Sequence, residues 1–331
     1  MTYSTGNIIV ATDYNGFVET TGSANINAVW NSLYGQTALA QVSPAGTVTA
    51  TQWSSLVNTL TALGAHQNTA ITSRTAPVAG NTIAILANVN TDITNCNLNQ
   101  ANAYATGTQN TAWTGTASFT TNIGNAAGNI LGGWTATFTD TMTFANATAA
   151  KSFFSAGGLV KTQFSKTTTG TVEDPQWNIF IANVVANAGV YLSGANTAHT
   201  IANVSYNGTT KFGGTGTPTV LANGTGFFNL TTTATPIYQQ FDSGSAYNTN
   251  YVKIAANVNA NVNPTVLTLV TTWVNTGTVT GGNSTITGGT ATTGITFGTG
   301  PATVVTYFPP ETTYLTPVWG TPTVASTIAN T

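Results

Sequence analysis

The sequence predicts a mainly β protein, with an antiparallel β-sandwich or jelly-roll-like domain preceded by a small helical N-terminal module. Three observations predict it. Apolar residues recur at the helical period in two segments near the start, whereas after about residue 111 apolar and polar residues alternate. Threonine, whose β-branched side chain favours strands, is abundant throughout. Asparagine and glycine, which tolerate turn conformations, separate the alternating segments.

Two helical segments are the clearest local signals. The first has Ser23 as its cap and Gly35 at its end, and the second begins with a capping box of Thr49 and Gln52 before Gly64. Each segment carries one apolar stripe, formed by Ile26, Val29, Trp30 and Leu33 in the first and by Trp53, Leu56, Val57 and Leu60 in the second. An amphipathic helix must bury such a face, so we expect the stripes to pack on each other or on a neighbouring subunit, as an assembly interface.

A repeat accompanies these helices. A short β-like lead that begins at glycine precedes each of them, at residues 16–18 and 46–48, and a looser third copy starts at Gly80. The stripe of the third copy consists of Ile85, Leu86, Val89 and Ile93. We therefore predict a module of about three repeats of roughly 30 residues that spans residues 1–110 and attaches the protein to its assembly.

The central part of the chain has the period of two that is typical of strands. The alternating segments are residues 134–139, 159–164, 178–181, 201–206, 227–230, 251–254 and 266–270. A short helix is predicted at residues 146–154, ended by the glycines that follow it. Many short strands at this spacing favour a sandwich, which we place at residues 111–276.

The last part of the chain, residues 277–331, is predicted to be a Gly/Thr/Pro-rich β tail or an extended arm. One strand is expected at residues 303–308, and the prolines after it disfavour regular internal pairing. Tyr314 and Trp319 make the arm too apolar to be left bare in water. We expect these two side chains to dock either on a neighbouring copy or back on their own domain.

Charge is scarce, with 6 Lys and Arg, 8 Asp and Glu and a net charge of -2 over 331 residues. No basic patch can neutralise a row of phosphates or an anionic membrane surface, so we expect neither nucleic acid nor membrane insertion. Low charge also removes repulsion between copies. We therefore expect a homo-oligomer, with a trimer as the first expectation.

Residues that could carry chemistry are few. The adjacent Glu173 and Asp174 precede a proline in a surface turn, and His66 and His199 lack metal-ligand spacing. Cys96 is the single cysteine, and no nucleophile elbow or phosphate-binding glycine loop is present. We expect no enzyme activity, no cofactor and no metal site.

Several aromatic residues admit two interpretations. Trp113, Trp177 and Tyr247 could form platforms on which sugars stack, but aromatic side chains in sandwiches more often fill the core. We expect core positions for them.

Four segments resemble virion structural proteins of tailed bacteriophages, especially marine and cyanobacterial myoviruses. They are residues 149–161, residues 237–241 with 247–254, residues 266–273, and residues 46–56 followed by His66 and Gln67. The resemblance covers about residues 16–275. It implies a virion component, often described as tail-fibre-like, and it brings no catalytic residues with it.

The leading hypothesis is a structural protein of the phage tail, baseplate or fibre apparatus. It would attach by its N-terminal module and expose its β-domain for assembly or for binding to the host surface. Its partners would be copies of itself, other virion proteins and a host-surface glycan. It would assemble in the host cytoplasm and be extracellular in the particle. Two alternatives stay open, namely a capsid or collar decoration protein and a cell-surface adhesin that binds carbohydrate.

Overall fold

The computed structural model describes most of the chain. The described residues are 10–19, 25–79, 88–103, 113–118, 134–165, 177, 179–183, 189–194, 199–201, 204–213, 216–219, 229–242, 248–276 and 302–330.

Helices come first along the chain and strands follow. The helices are α1 (Ala11–Val18), α2 (Asn27–Trp30), α3 (Ala50–Gln67), α4 (Val89–Leu98) and α5 (Ala147–Ser155). The strands are β1 (Trp113–Ser118), β2 (Trp134–Thr143), β3 (Leu159–Ser165), β4 (Gly189–Leu192), β5 (His199–Ile201), β6 (Val204–Tyr206), β7 (Thr209–Phe212), β8 (Thr235–Phe241), β9 (Tyr251–Val258), β10 (Val266–Asn275), β11 (Ala302–Phe308) and β12 (Thr323–Asn330).

Two five-stranded antiparallel sheets form the sandwich. The first has the order β1-β11-β3-β4-β7, the second has the order β12-β2-β10-β9-β8, and β5 and β6 pair in a separate hairpin. Because β1 pairs with β11 and β2 pairs with β10, the start and the end of the domain are nested, as in jelly rolls. The predicted fold class is confirmed.

Alternation along the strands decides which side chains face the core. In β10, Leu267, Leu269 and Trp273 are buried, while the residues between them on the other face are half-exposed. Phe164 of β3 meets Trp273 edge-on across the two sheets, with ring centroids 5.9 Å apart. The two sheets therefore share one apolar layer.

The second predicted helix is confirmed at its start and longer than expected at its end. The side-chain oxygen of Thr49 accepts a hydrogen bond from the Gln52 backbone N–H, and the Gln52 side chain accepts one from the Thr49 N–H. The helix passes through Gly64 and ends at Asn68, which has a left-handed φ of 52°. A Cβ on Gly64 would lie 3.0 Å from the carbonyl oxygen of Thr69, so glycine allows the close approach of the chain that follows.

The first helix and the repeat differ from expectation. Among the described residues of the first segment, only α2 is α-helical, and a turn leads from it to Gly35, which has a φ of +70°. The predicted cap, Ser23, lies outside the described residues. Residues 16–18, predicted as a β-like lead, are the last turn of α1, and residues 46–48 belong to no strand. The lead is therefore wrong in both copies, because tertiary contacts override a short β-like pattern. The start of the third copy, residues 80–87, lies outside the described residues.

Two predicted strands are corrected. Residues 179–183 are helical, and the reason is a stripe in which Trp177, Phe180 and Ile181 are buried while Ile179 is 56% exposed. In the segment 201–206, Ile201 ends β5, residues 204–206 are β6, which pairs antiparallel with β5, and residues 202 and 203 lie outside the described residues. Of the segment 227–230, residues 227 and 228 lie outside the described residues, and the other two are not in a strand.

Helices and sheets share a core. One contiguous cluster of buried side chains includes Trp53 from α3, Phe153 from α5, Phe138 from β2 and Tyr307 from β11. The helical module is therefore packed on the sandwich. The division of the chain at residues 110 and 276 stays a prediction.

Replacing Trp273 tests the shared core. We expect Trp273→Ala to lower the free energy of unfolding by about 3–5 kcal/mol, because it removes a buried ring and leaves a cavity between the sheets. Phe241→Ala is the control, since Phe241 is 52% exposed at the end of β8, and it should cost about 1 kcal/mol or less. Urea denaturation measures both, and equal losses would contradict the assignment of Trp273 to the core.

Candidate functional site

The two helical stripes lie inside the chain's own core. Seven of the eight side chains are buried, and Trp30 is half-buried, with its Nε1–H donating to the Thr37 carbonyl at 3.0 Å. Helix α1 is the reason, because Tyr14 and Phe17 pack edge-on against Trp53 at ring centroid distances of 5.8 and 6.1 Å. Of the two packing partners expected for the stripes, the described residues show the chain's own core. The buried residues are Ile26, Val29, Leu33, Trp53, Leu56, Val57 and Leu60.

The arm folds back on its own chain. Trp319 is buried in the common core and Tyr314 is half-buried. The amide of Gln36 holds the arm, because its Nε2 donates to the Thr316 carbonyl and its Oε1 accepts from the Thr316 N–H, both at 2.9 Å. Of the two docking surfaces expected for Tyr314 and Trp319, the structure therefore shows the chain's own domain.

A glycine sits where the arm, the first helical segment and α5 meet. A Cβ on Gly35 would lie 2.4 Å from Ser152 Oγ and 2.7 Å from Val318 Cγ2. Its positive φ also disfavours any L side chain. The junction that holds the helical module to the sandwich therefore requires glycine at this position.

Strand β12 is a candidate contact surface that the sequence did not predict. It pairs with β2 along its whole length and forms the outer edge of the second sheet. Residues 325–329 are exposed, and no charged residue follows Glu311. The signal was present, since residues 323–330 contain β-branched side chains and neither glycine nor proline. We call this strand the C-terminal edge.

A buried carboxyl group lies under the C-terminal edge. Asp140 of β2 faces the core and accepts a hydrogen bond from Ser326 Oγ at 2.5 Å. Its other oxygen, Oδ2, has no hydrogen-bond partner among the described residues. Burial raises the pKa of Asp140, and the bond from Ser326 lowers it in part. Ser326 thus fixes the middle of the edge strand to the sheet interior.

The helical module contains a buried ion pair. Arg74 and Asp92 lie 2.5 Å apart, and Asp92 also accepts from the Thr72 N–H at 3.1 Å. Burial, followed by the nearby Asp92 charge, raises the pKa of the Cys96 thiol to about 12. A thiol is nucleophilic as its thiolate, so Cys96 is unreactive near neutral pH.

His66 is also buried, at the end of α3. It packs edge-on against Tyr34, with ring centroids 5.2 Å apart. Burial lowers its pKa from 6.5 to about 4, although the neighbouring Ala156 backbone acts in the opposite direction. Neither ring nitrogen makes a hydrogen bond of ordinary geometry to the described residues. The neutral ring therefore fills space in the core.

An aromatic cluster lies on the outer face of the first sheet. Tyr191, Phe212 and Phe308 are half-exposed there, and Tyr191 and Phe212 meet at right angles with centroids 5.1 Å apart. The Lys161 ammonium lies 5.7 Å from the centre of the Tyr191 ring. Tyr206 of β6 packs on the rings of Tyr191 and Phe212, so the cluster is a partly covered aromatic surface.

The remaining candidates are placed as follows. Trp177 is buried and packs on Trp273, as expected for a core aromatic. Tyr247 and the side chains of Trp113 and His199 lie outside the described residues, as do Glu173 and Asp174. The described part of the chain contains no group of three or more His, Cys, Asp or Glu side chains that could hold a metal ion. Among the described helices, none has the length and apolar character needed to span a membrane.

Comparison of the chain with protein-family models, with curated proteins and with solved structures found no match.

The junction glycine can be tested against a second glycine in the arm. Gly320 also has a positive φ, of +61°, but a Cβ there would have nothing within 4 Å. We expect Gly320→Ala to cost about 1 kcal/mol of stability for its backbone conformation. Gly35→Ala should cost about 1–3 kcal/mol more, because its Cβ also overlaps Ser152 and Val318. Equal losses in urea denaturation would show that crowding at the junction is unimportant.

His66 should make the fold sensitive to acid. Its folded pKa of about 4 is below its ordinary 6.5, so its contribution to stability is complete above about pH 6.5 and is lost as pH falls towards 4. The loss amounts to about 3 kcal/mol. In His66→Leu this part of the pH dependence should vanish, and subtracting the two stability curves removes the groups that titrate in both. Parallel curves between pH 4 and 7 would contradict the assignment.

Proposed function

We propose that this chain is a structural protein of a tailed-bacteriophage virion, in the tail, baseplate or fibre apparatus, and that it acts through contacts rather than through chemistry. The observation that carries the proposal is that four side chains with reactive or charged groups are buried, whereas an edge strand without charge is exposed. Asp92, Arg74, Cys96 and His66 are buried inside the helical module, whereas the C-terminal edge exposes an uncharged strand. The resemblance of the sequence to phage virion proteins supports the same function.

Attachment to other virion proteins would use the surface of the helical module rather than its stripes. Val78 and Leu98 are 63% and 77% exposed on this module. Exposed large apolar side chains favour contact with a partner when little charge surrounds them. In this proposal the module faces the particle, and the β-domain is exposed for assembly or for the host surface.

Mass spectrometry of purified virions tests the proposal. We expect the chain in gradient-purified particles of the phage that encodes it, at a stoichiometry that follows the other tail proteins. A replication enzyme of the same phage is the control and should be absent from that fraction. Absence of the chain from the particles would remove the proposal.

Immunogold electron microscopy separates the proposal from its nearest alternative. A capsid or collar decoration protein would share the scarcity of charge, but it would be labelled on the head or the neck. Label at the tail, baseplate or fibres supports the position proposed here.

The aromatic cluster on the first sheet favours a second candidate function, binding of a host-surface glycan. Half-exposed rings of Tyr191, Phe212 and Phe308 present apolar faces of the kind on which a sugar ring packs. A glycan array probed with the full chain tests this, with Phe212→Ala as the matched variant. Binding that is unchanged in the variant, or no binding at all, would remove the cluster as a glycan site.

A further inference from the structure

We propose that the C-terminal edge binds the C-terminal edge of a second copy of this chain, antiparallel and around a two-fold axis. Each copy would contribute the five-stranded sheet that contains its β12, and the two sheets would then form one continuous sheet. This goes beyond the proposed function, because the pairing occurs in solution whether or not the chain enters a virion.

One side of β12 has no hydrogen-bonded partner strand. β12 is the outermost strand of its sheet and lies exposed over residues 325–329, although β1, the edge strand of the other sheet, approaches it within the same chain. Native edges are usually protected by charged side chains, proline or a bulge, and β12 has none of these. The opposite edge of the same sheet is different, because Pro218 forms a bridge with Tyr238 of β8 and the Thr219 N–H donates to the Ile237 carbonyl at 2.8 Å.

The side of the sheet to which each backbone N–H and C=O group of β12 points is defined. Thr141 Oγ1 donates to the Ala325 carbonyl at 3.3 Å, so this carbonyl points towards β2. Backbone groups of successive residues in a strand point to opposite sides. The N–H and C=O groups of Val324, Ser326 and Ile328 therefore point away from β2, to the open side. The Ser326–Asp140 side-chain bond agrees, because side chains are closest where two strands do not exchange backbone bonds.

The residues of β12 are complementary to those of a second β12 that pairs with it antiparallel. With the two-fold axis at Ser326, Val324 of one copy lies opposite Ile328 of the other, and Ala325 lies opposite Thr327. The three outward-pointing residues of each copy then form about six backbone hydrogen bonds across the contact. No charge faces another charge, and the apolar Val324 faces the apolar Ile328.

The pairing also covers apolar side chains of β12 at the end of the sheet. Val324, Ser326 and Ile328 share the face of Met142, Asp140 and Phe138, which is the face towards the core. Ile328 is nevertheless 38% exposed and Val324 is half-exposed, because the sheet ends there. A second copy places Ile328 beside Val324 on this face and shields part of both side chains. Within each copy, the bond from Ser326 to Asp140 fixes the register of β12 against β2.

This contact predicts a dimer. The scarcity of charge alone had led us to expect a trimer. A two-fold contact uses the same edge on both copies and is then closed. An unrelated strand from another virion protein would also fit an open edge, but it would not require the Ser326 axis.

Charge placement tests the register. We would compare the full chain with two double variants by sedimentation velocity over a range of concentrations. Ala325→Lys with Thr327→Lys puts like charges opposite each other twice, and we expect its dimer dissociation constant to rise on the order of tenfold or more. Ala325→Lys with Thr327→Glu puts opposite charges together, and its dissociation constant should stay within about threefold of the wild type. Both sites are exposed, and circular dichroism melting checks that both variants fold.

A disulfide provides a second measurement. Because Ser326→Cys loses the bond to Asp140, circular dichroism melting must show that the cysteine variants fold. Ser326→Cys should form a covalent dimer under mild oxidation, because the two Cα atoms at the axis lie about 5.5 Å apart. Thr323→Cys is the control on the same strand, since its two copies would be roughly 20 Å apart. Cys96 is buried and stays out of the reaction.

The outcomes decide the proposal. A dimer of twice 33.9 kDa that responds to charge as described and cross-links through Ser326→Cys supports it. A wild-type chain that stays monomeric at every concentration or forms a trimer would overturn it. So would equal dissociation constants for the two double variants, or equal cross-linking through Thr323→Cys.

Discussion

The packing of two antiparallel sheets on one apolar layer is the constraint on which the rest of this protein depends. Trp273 lies at its centre, where it contacts Phe164 of the opposite sheet and Trp177 of the neighbouring helical stretch. The side chains of this layer continue into the helices without a break. A chain with so few charged residues has apolar burial as its main source of stability, and every other contact is arranged around this layer.

Uncharged side-chain amides connect segments of this chain by hydrogen bonds, a role that ion pairs have in many proteins. Gln36 exchanges two hydrogen bonds with the Thr316 backbone, and Asn15 does the same with Val42, where both distances are 2.8 Å. Asn27 holds Leu39 in the same manner. An amide presents a donor and an acceptor side by side, so it pairs with a peptide group as another strand would. Segments without regular structure are thereby fixed to the core at no cost in buried charge.

The proposed function depends on which groups the packing of the chain buries and which it leaves exposed. The helical stripes, which look available in the sequence, are used within the chain because α1 covers Trp53. Asp92, Cys96 and His66 of the helical module are buried, and burial suppresses the reactivity of Cys96 and the protonation of His66. At the C-terminal edge, the backbone groups on one side of β12 have no hydrogen-bonded partner strand. This placement supports the proposed role in assembly.

The sequence by itself determined the elements whose signals are local. Helix α3 with its Thr49 and Gln52 cap, helix α5, and strands β2 and β10 follow from periodicity and capping within a few neighbouring residues. The tertiary structure decided whatever depends on distant partners. The stretch around Phe180 became a helix because its stripe meets the core, and the tail became an edge strand because Ser326 reaches Asp140, 186 residues earlier in the chain. Sequence periodicity cannot carry that information, because the free energy of such contacts is gained only when remote segments come together.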